Sequence, residues 1–219
     1  MLLNTLTLNI MIKNSFYIFV FEAIFLLGCN GSKDELLPDE YLPFYLEQSD
    51  IIENKKMIDD IYIKAMYLSP EYMALKNNEH SKADEIMDEL KERNNYYYFN
   101  LEIGYNEDKN DILQKDIANQ EEFFQRVEYL SFKVQNDLRL IVGAETLPCI
   151  MAQYERTFGL NKAISIVCMY EKSKNQKENC PDIKLEYYDN FFKSGIVYLA
   201  FDGESLCNLP TLKLAQHVK

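Results

Sequence analysis

The 219-residue sequence contains no tryptophan and only two histidines, His80 and His217. It also lacks the HExxH, GxSxG and glycine-rich phosphate-loop patterns that mark zinc hydrolases, serine hydrolases and nucleotide-binding enzymes. With so little imidazole, a histidine-based zinc site is not expected. The sequence therefore assigns no catalytic residue, no metal ligand and no cofactor, and it favours a protein that is not an enzyme.

Positive charge is also scarce. Lys and Arg number 23 against 35 Asp and Glu, which leaves a formal net charge of −12 at pH 7. Because such an acidic chain does not attract a phosphate backbone, we exclude nucleic acid as a partner. The excess of acid instead favours solubility and suits a cationic partner.

The N-terminal apolar stretch is too short to span a bilayer. Residues 16–27 are about half the ~20 residues that a transmembrane helix requires, and Glu22 interrupts them. The stretch ends at Gly28, directly before Cys29. A short apolar core closed by a small residue is typical of a secretory signal peptide, so we expect an exported chain.

The residues at the end of this core, Leu26-Leu27-Gly28-Cys29, resemble the lipobox of bacterial lipoproteins. In that family the cysteine thiol receives a diacylglycerol group, the chain is cut just before the cysteine, and the new amine is acylated. The resemblance implies removal of residues 1–28 and a lipid anchor on Cys29, and several acyl chains hold a protein firmly on a membrane. Since residues 1–10 carry no positive charge, we expect translation to begin at Met11.

Two further resemblances concern location. Lys33-Asp34-Glu35 resembles the short acidic signal that sends lipoproteins of some Gram-negative groups to the outer cell surface, although a solvated linker explains the same residues equally well. Residues 154–160 resemble segments of uncharacterised surface lipoproteins. We therefore expect lipid anchoring in the cell envelope, in the outer membrane, with either a surface-exposed or a periplasmic domain.

The mature chain is predicted to consist of a tether and one domain. Residues 29–48 are predicted to form a lipidated flexible tether, because Pro38 and Pro43 argue against a helix there. Residues 49–219 have the length of one ordinary domain that buries its own core.

The fold class predicted for that domain is α+β: a small, mainly antiparallel sheet packed on one long helix over residues 119–142, with additional helices near the N-terminus. Apolar residues recur there at steps of three or four, Asn119 caps the start and Gly143 ends the helix. The other predicted helices cover residues 50–68, a segment beginning at Ser69-Pro70, and residues 81–93. The predicted strands are residues 96–103, 150–158, 163–170 and 195–201; the second and third form a β-hairpin, and residues 171–186 form a solvated loop.

Four cysteines remain after Cys29, and in an exported chain all are candidate disulfide cysteines: Cys149, Cys168, Cys180 and Cys207. In the predicted hairpin Cys168 faces the region of Gln153, about four residues from Cys149, and at ~3.3 Å per residue this gap exceeds disulfide reach. We therefore disfavour the Cys149–Cys168 pair and, with it, Cys180–Cys207. Four reduced cysteines are the alternative.

Tyrosine is abundant, with 16 residues and clusters at residues 96–98 and at Tyr187-Tyr188. Its apolar ring and polar tip suit surfaces that bind protein or sugar. Ordinary strand residues with alternate side chains in the core explain the same clusters, and the sequence favours that explanation.

Together these features predict a lipid-anchored cell-envelope lipoprotein that acts as a non-catalytic binding or accessory subunit of an envelope assembly. Its expected partners are the membrane, through the lipid on Cys29, and another envelope protein. The alternatives are a tethered immunity protein against a toxin and a surface ligand-capture protein or hydrolase.

Overall fold

The computed structural model describes residues 35–77, 82–107, 111–155, 162–173 and 180–214. The candidate lipidation site Cys29, the Lys33 and Asp34 of the candidate export signal, and both histidines lie outside the described residues. The α-helices are α1 (Pro38–Glu47), α2 (Ser49–Ile52), α3 (Pro70–Asn77), α4 (Ala83–Arg93), α5 (Gln120–Phe132) and α6 (Gly203–Cys207). The strands are β1 (Glu35–Leu36), β2 (Glu53–Ile58), β3 (Ile61–Leu68), β4 (Tyr96–Tyr105), β5 (Leu138–Val142), β6 (Glu145–Pro148), β7 (Met151–Tyr154), β8 (Ile164–Glu171), β9 (Ile183–Asp189), β10 (Gly195–Phe201) and β11 (Thr211–Leu212).

Two antiparallel sheets form the body of the domain, with strand orders β2-β3-β4-β8-β7 and β10-β9-β5-β6. Their inward side chains meet in one core, where the Phe99 ring of β4 contacts the Phe201 ring of β10 at 5.2 Å and the Tyr170 ring of β8 at 6.3 Å. At one edge the Asn54 side chain donates to the Ala200 carbonyl at 2.9 Å. The sheets therefore pack face to face as a sandwich.

A third, two-stranded sheet joins the beginning of the described chain to its end. Strands β1 and β11 pair in parallel, with Glu35 opposite Thr211 and Leu36 opposite Leu212. The pair is extended by a hydrogen bond of 2.8 Å from the Lys213 amide to the Leu36 carbonyl. This pair therefore attaches Glu35, the first described residue, to the compact unit that contains both larger sheets.

The predicted α+β class and the mainly antiparallel pairing are confirmed, but the long helix over residues 119–142 is wrong. Asn119 does cap the helix, since its side-chain oxygen accepts from the Glu122 amide at 3.0 Å. However, α5 ends at Phe132, and after a short 3-10 helix (Val134–Asp137) the chain enters β5. Gly143 (φ 58°) then lies in the turn between β5 and β6 instead of ending a helix. Consequently the core lies between two sheets.

The predicted helix over residues 50–68 is also wrong, because only α2 is helical there and the hairpin β2–β3 follows it. Buried side chains in β3 alternate along the strand, at Ile61, Ile63, Ala65 and Tyr67. This period of two is that of a strand with one face in the core. Asp59 (φ 53°) adopts the left-handed conformation that a tight hairpin turn needs.

Residues 36–48 of the predicted flexible tether are ordered instead, because α1 forms despite its two prolines. Pro38 occupies the first turn, where an amide hydrogen has no helical partner, so only Pro43 costs the helix a hydrogen bond. Tyr41 and Tyr45 on this helix are fully buried. The Tyr45 hydroxyl donates to the Tyr67 carbonyl at 2.7 Å and accepts from the Ser69 amide at 3.0 Å. This burial compensates for the proline and attaches α1 to the domain.

Several other predicted elements are confirmed. Helix α3 starts at Ser69-Pro70, where the Ser69 hydroxyl accepts from the Tyr72 amide at 3.0 Å, and α4 lies within residues 81–93. Strands β4, β8 and β10 occupy their predicted segments, and β7 pairs with β8 as the predicted hairpin. The predicted solvated loop over residues 171–186 is partly wrong, because β9 begins at Ile183.

Candidate functional site

The four-stranded sheet carries the best candidate surface on its outward side. We define the open face by Arg139 of β5, Glu186 and Tyr188 of β9, and Ile196 and Tyr198 of β10. Ile196 lies directly opposite Tyr188, and Tyr198 lies opposite Glu186. Arg139 lies opposite Glu186 on its other side. The five side chains therefore form one contiguous group across three strands.

Large apolar surface is exposed on the open face. Ile196 is 55% exposed, Tyr188 48% and Tyr198 38%. The inward neighbours Val197, Leu199 and Phe201 of β10 are buried. The strand alternation thus fills the core with one side of β10 and presents the other side to solvent.

The turn between β9 and β10 holds these strands in register. Asp189 is buried at the end of β9, and its carboxylate accepts from the amides of Phe191 and Phe192, both at 3.0 Å, and of Ser194 at 2.9 Å. Gly195 (φ 71°) then takes the left-handed conformation that returns the chain into β10. A single carboxylate therefore organises the hairpin that carries Tyr188, Ile196 and Tyr198.

Polar contacts orient the side chains of the open face. Glu186 forms an ion pair with Arg139 at 3.7 Å. The hydrogen bond from Tyr198 to Glu186, together with the negative charge of that carboxylate, raises the pKa of Tyr198. The Lys184 ammonium lies 5.6 Å from the centre of the Tyr198 ring. The Tyr198 hydroxyl hydrogen is therefore already bound to Glu186, and the hydroxyl oxygen can still accept a hydrogen bond.

The chemistry of the open face is that of recognition. It offers two tyrosine rings, an isoleucine and one ion pair between Arg139 and Glu186. Large amphipathic side chains of this kind dominate the binding energy of protein interfaces. The open face therefore offers side chains that can bind a partner surface.

On the outward side of the five-stranded sheet, charged side chains also pair with one another. The Lys64 ammonium lies 3.7 Å from the Glu53 carboxylate and 3.6 Å from the Glu102 carboxylate. Tyr62 donates a hydrogen bond to Glu102, and the Lys55 ammonium lies 4.3 Å from the Tyr62 ring centre. Burial, followed by the bond to Glu102, raises the pKa of Tyr62. These groups already bind one another, so they are explained as structural pairs across the strands.

A shallow cleft of about 590 Å³ lies beside the disulfide, and Asp182 and Asp202 are its carboxylates. Asp182 accepts from the Gly203 amide at 3.2 Å, and Asp202 caps α6 by accepting from the Ser205 amide at 2.8 Å. The bonds from Ser205 lower the pKa of Asp202. Both carboxylates of the cleft therefore accept hydrogen bonds from backbone amides.

The cysteines pair differently from the sequence-based prediction. Cys180 and Cys207 form a disulfide with a Cα–Cα distance of 6.0 Å, whereas Cys149 and Cys168 are free and buried. The prediction that disfavoured Cys180–Cys207 is wrong, because it assumed that all four cysteines pair. The hairpin register places Cys168 opposite Ala152, one residue from the predicted Gln153.

The structure divides the tyrosine clusters between core and surface. Tyr97 and Tyr98 are both buried and Tyr96 is half-buried, so the cluster is mostly interior, as predicted, but burial does not alternate along this part of β4. Tyr187 is buried, but its neighbour Tyr188 belongs to the open face. Sequence reasoning missed Ile196 and Tyr198, because the apolar run over residues 195–201 predicts a wholly buried strand. No histidine, cysteine or acidic cluster of metal-binding size occurs among the described residues.

Comparison with known proteins assigns no family. No family model matches the chain, and no curated protein matches it. A similar solved structure is described as a novel protein of unknown function from Burkholderia pseudomallei K96243, with 10% sequence identity and a TM-score of 0.36. The match covers 80% of this chain and 94% of that chain. In the part of the chain that the structure describes, no helix is long and apolar enough to cross a membrane.

Proposed function

We propose that this chain is a lipid-anchored cell-envelope lipoprotein, and that its domain is a non-catalytic subunit that binds a partner protein through the open face. The observation that carries the proposal is the exposure of Tyr188, Ile196 and Tyr198 side by side on neighbouring strands. Contiguous apolar surface on a folded domain is characteristic of interaction sites. Tyrosine in particular contributes large contact area with few rotatable bonds.

The length of the tether supports a partner in the envelope. Glu35 is the first described residue of the compact unit, and only residues 30–34 lie between it and Cys29. Six extended Cα–Cα steps reach about 20 Å. A domain attached this way stays close to the bilayer. Its partner must therefore be a membrane protein, another anchored protein or a protein that arrives at that membrane.

The first test concerns the anchor. Cys29→Ser removes the thiol that would carry the diacylglycerol, and we expect the protein to move from the membrane fraction to the soluble fraction, because acyl chains supply about 0.8 kcal/mol of membrane binding per buried CH₂. The measurement is fractionation of cells, with mass spectrometry of the N-terminal peptide. Cys149→Ser, which removes a thiol elsewhere, is the matched control and should stay in the membrane fraction. An unlipidated wild-type peptide would contradict the proposal.

The second test concerns the open face. A photo-crosslinking amino acid at Ile196 should capture a discrete partner protein in intact cells, and Tyr198→Ala should abolish that adduct, because loss of an interface tyrosine at a hot spot weakens binding about 30-fold or more. Phe132 of α5, which is 79% exposed, gives the control position on a different element. Equal capture from Phe132, or capture unchanged by Tyr198→Ala, would show that the open face is not the binding surface.

A further inference from the structure

The two free cysteines lie together although the hairpin register separates them. Cys168 occupies β8, with its side chain fully buried, and Cys149 follows β6 with 5% of its surface exposed. Their sequence neighbours Ile150 and Met169 are joined by a backbone hydrogen bond of 2.9 Å, which brings Cys149 and Cys168 close together, and the Tyr170 hydroxyl lies beside both thiols. That hydroxyl has no oxygen or nitrogen partner within the described part of the chain. The two thiols and the Tyr170 hydroxyl therefore form one buried cluster.

A corner of the chain brings Cys149 to this position. Between β6 and β7 the chain changes from the four-stranded to the five-stranded sheet within Cys149 and Ile150. The Ile150 amide donates to the Met169 carbonyl at 2.9 Å, which attaches the corner to β8. The Cys149 thiol donates to the Met151 carbonyl at 3.0 Å. Because the chain bends here, distances counted along a straight strand do not apply to Cys149.

We propose that Cys149 and Cys168 form a second disulfide, which cross-links the corner between the two sheets to β8. The oxidant is an external disulfide, either a small-molecule disulfide or that of a thiol-oxidising protein. The inference goes beyond the proposed function, since it concerns the chemistry of the core and holds for any partner.

The exchange proceeds in two steps. The Cys149 thiolate attacks one sulfur of the external disulfide, so that a mixed disulfide forms and one external thiolate leaves. The Cys168 thiolate then attacks the Cys149 sulfur, which forms the internal disulfide and releases the second external thiolate. The two protons lost by the cysteines are taken up by the two leaving thiolates. The protein dithiol is thereby oxidised, and the external disulfide is reduced to two thiols.

The surroundings make Cys149 the attacking residue. Its neighbours Pro148 and Ile150, though not Cys149 itself, line a shallow groove of about 290 Å³ together with Glu171 and Lys172, and Cys149 is 5% exposed whereas Cys168 is 0% exposed. The neighbouring Cys168 thiol lowers the pKa of Cys149 despite burial, while the Cys149 thiol and complete burial raise the pKa of Cys168. The more accessible thiol is thus also the better thiolate.

The test is disulfide mapping of the full-length protein, purified in reduced form and then incubated with oxidised glutathione. After denaturation in alkylating reagent and non-reducing digestion, we expect one pair of peptides joined through Cys149 and Cys168, with the loss of two hydrogens, in addition to Cys180–Cys207. The inference is overturned if Cys149 and Cys168 are both recovered as alkylated thiols while Cys180–Cys207 has formed. It is equally overturned if either residue is found mainly in another pairing.

Single variants resolve the order of the two steps. In Cys168→Ser the Cys149 thiol has no internal partner, so the glutathione adduct of Cys149 should accumulate. In Cys149→Ser the Cys168 thiol is fully buried and should stay unmodified until the protein is denatured. The opposite pattern would contradict Cys149 as the attacking residue. If a variant does not fold, mapping of the wild-type protein still decides whether the disulfide forms.

Discussion

Tyr45→Ala is expected to lower the free energy of unfolding by about 3–5 kcal/mol, as for other large aromatic residues in a core. Tyr45 is fully buried, and its ring contacts those of Tyr41 at 5.7 Å and Tyr72 at 5.1 Å. Its hydroxyl also satisfies the Tyr67 carbonyl and the Ser69 amide. The measurement is urea unfolding of the purified protein. Tyr45→Phe isolates the hydroxyl and should cost about 1–3 kcal/mol, because buried backbone groups then lose their partner.

The matched control is the adjacent residue on the same helix. Phe44 is 37% exposed, so Phe44→Ala should change the free energy of unfolding by less than about 1 kcal/mol. A comparable loss in Phe44→Ala and Tyr45→Ala would mean that α1 does not dock through its buried tyrosines. Such a result would restore the prediction of a flexible segment before residue 49.

Gly203→Ala is the second change with a large expected effect. An added Cβ would lie 2.1 Å from the Pro181 carbonyl oxygen and 2.5 Å from the Cys180 carbonyl oxygen. These are backbone atoms, and the disulfide between Cys180 and Cys207 of α6 limits how far they can move away from the added Cβ. We expect a loss of about 3 kcal/mol in the free energy of unfolding, at the upper end of overpacking effects. Thermal and urea unfolding measure it.

Gly195→Ala provides the comparison, because the two glycines are constrained by different causes. Gly195 has φ 71°, and a Cβ added there would meet no atom within 4 Å, so only backbone strain opposes alanine. That strain is worth about 1–2 kcal/mol. The expected order is a larger loss at Gly203 than at Gly195. The reverse order would indicate that the segment around Pro181 can move away from α6.

The main errors in the predicted fold share one physical cause. The segments 50–68 and 134–142 contain apolar residues at helical spacing, but they also contain alternating runs such as Ile61, Ile63 and Ala65. Where both periods fit, the choice depends on the availability of a partner strand, and this is not a local property. Strand β5 pairs with both β6 and β9, and neither is predicted as a strand from the sequence, so the helical spacing of Leu138 and Ile141 prevails in the prediction.

By contrast, the sequence predicts correctly several features in which a side chain acts on the backbone close to it. The Asn119 cap, the Ser69-Pro70 start of α3 and the aromatic strand β4 follow from residues close in sequence. The open face could not be predicted from the sequence, because Tyr188 and Ile196 become neighbours only through the register of β9 and β10. The thiol pair was hidden for a related reason, since it depends on a bend at Cys149.

If the domain is lipid-anchored as we propose, the parallel pairing of β1 with β11 has a mechanical consequence. A force applied through the lipid would act on the domain at Glu35. The hydrogen bonds between β1 and β11 would then carry this force in shear, from Glu35 to Thr211. From β11 the load reaches α6, where the covalent link from Cys207 to Cys180 carries it to the segment immediately before β9. Tension from the membrane would therefore be delivered to the central strands of the sandwich, while α1 and its buried tyrosines would bear the part that continues along the chain.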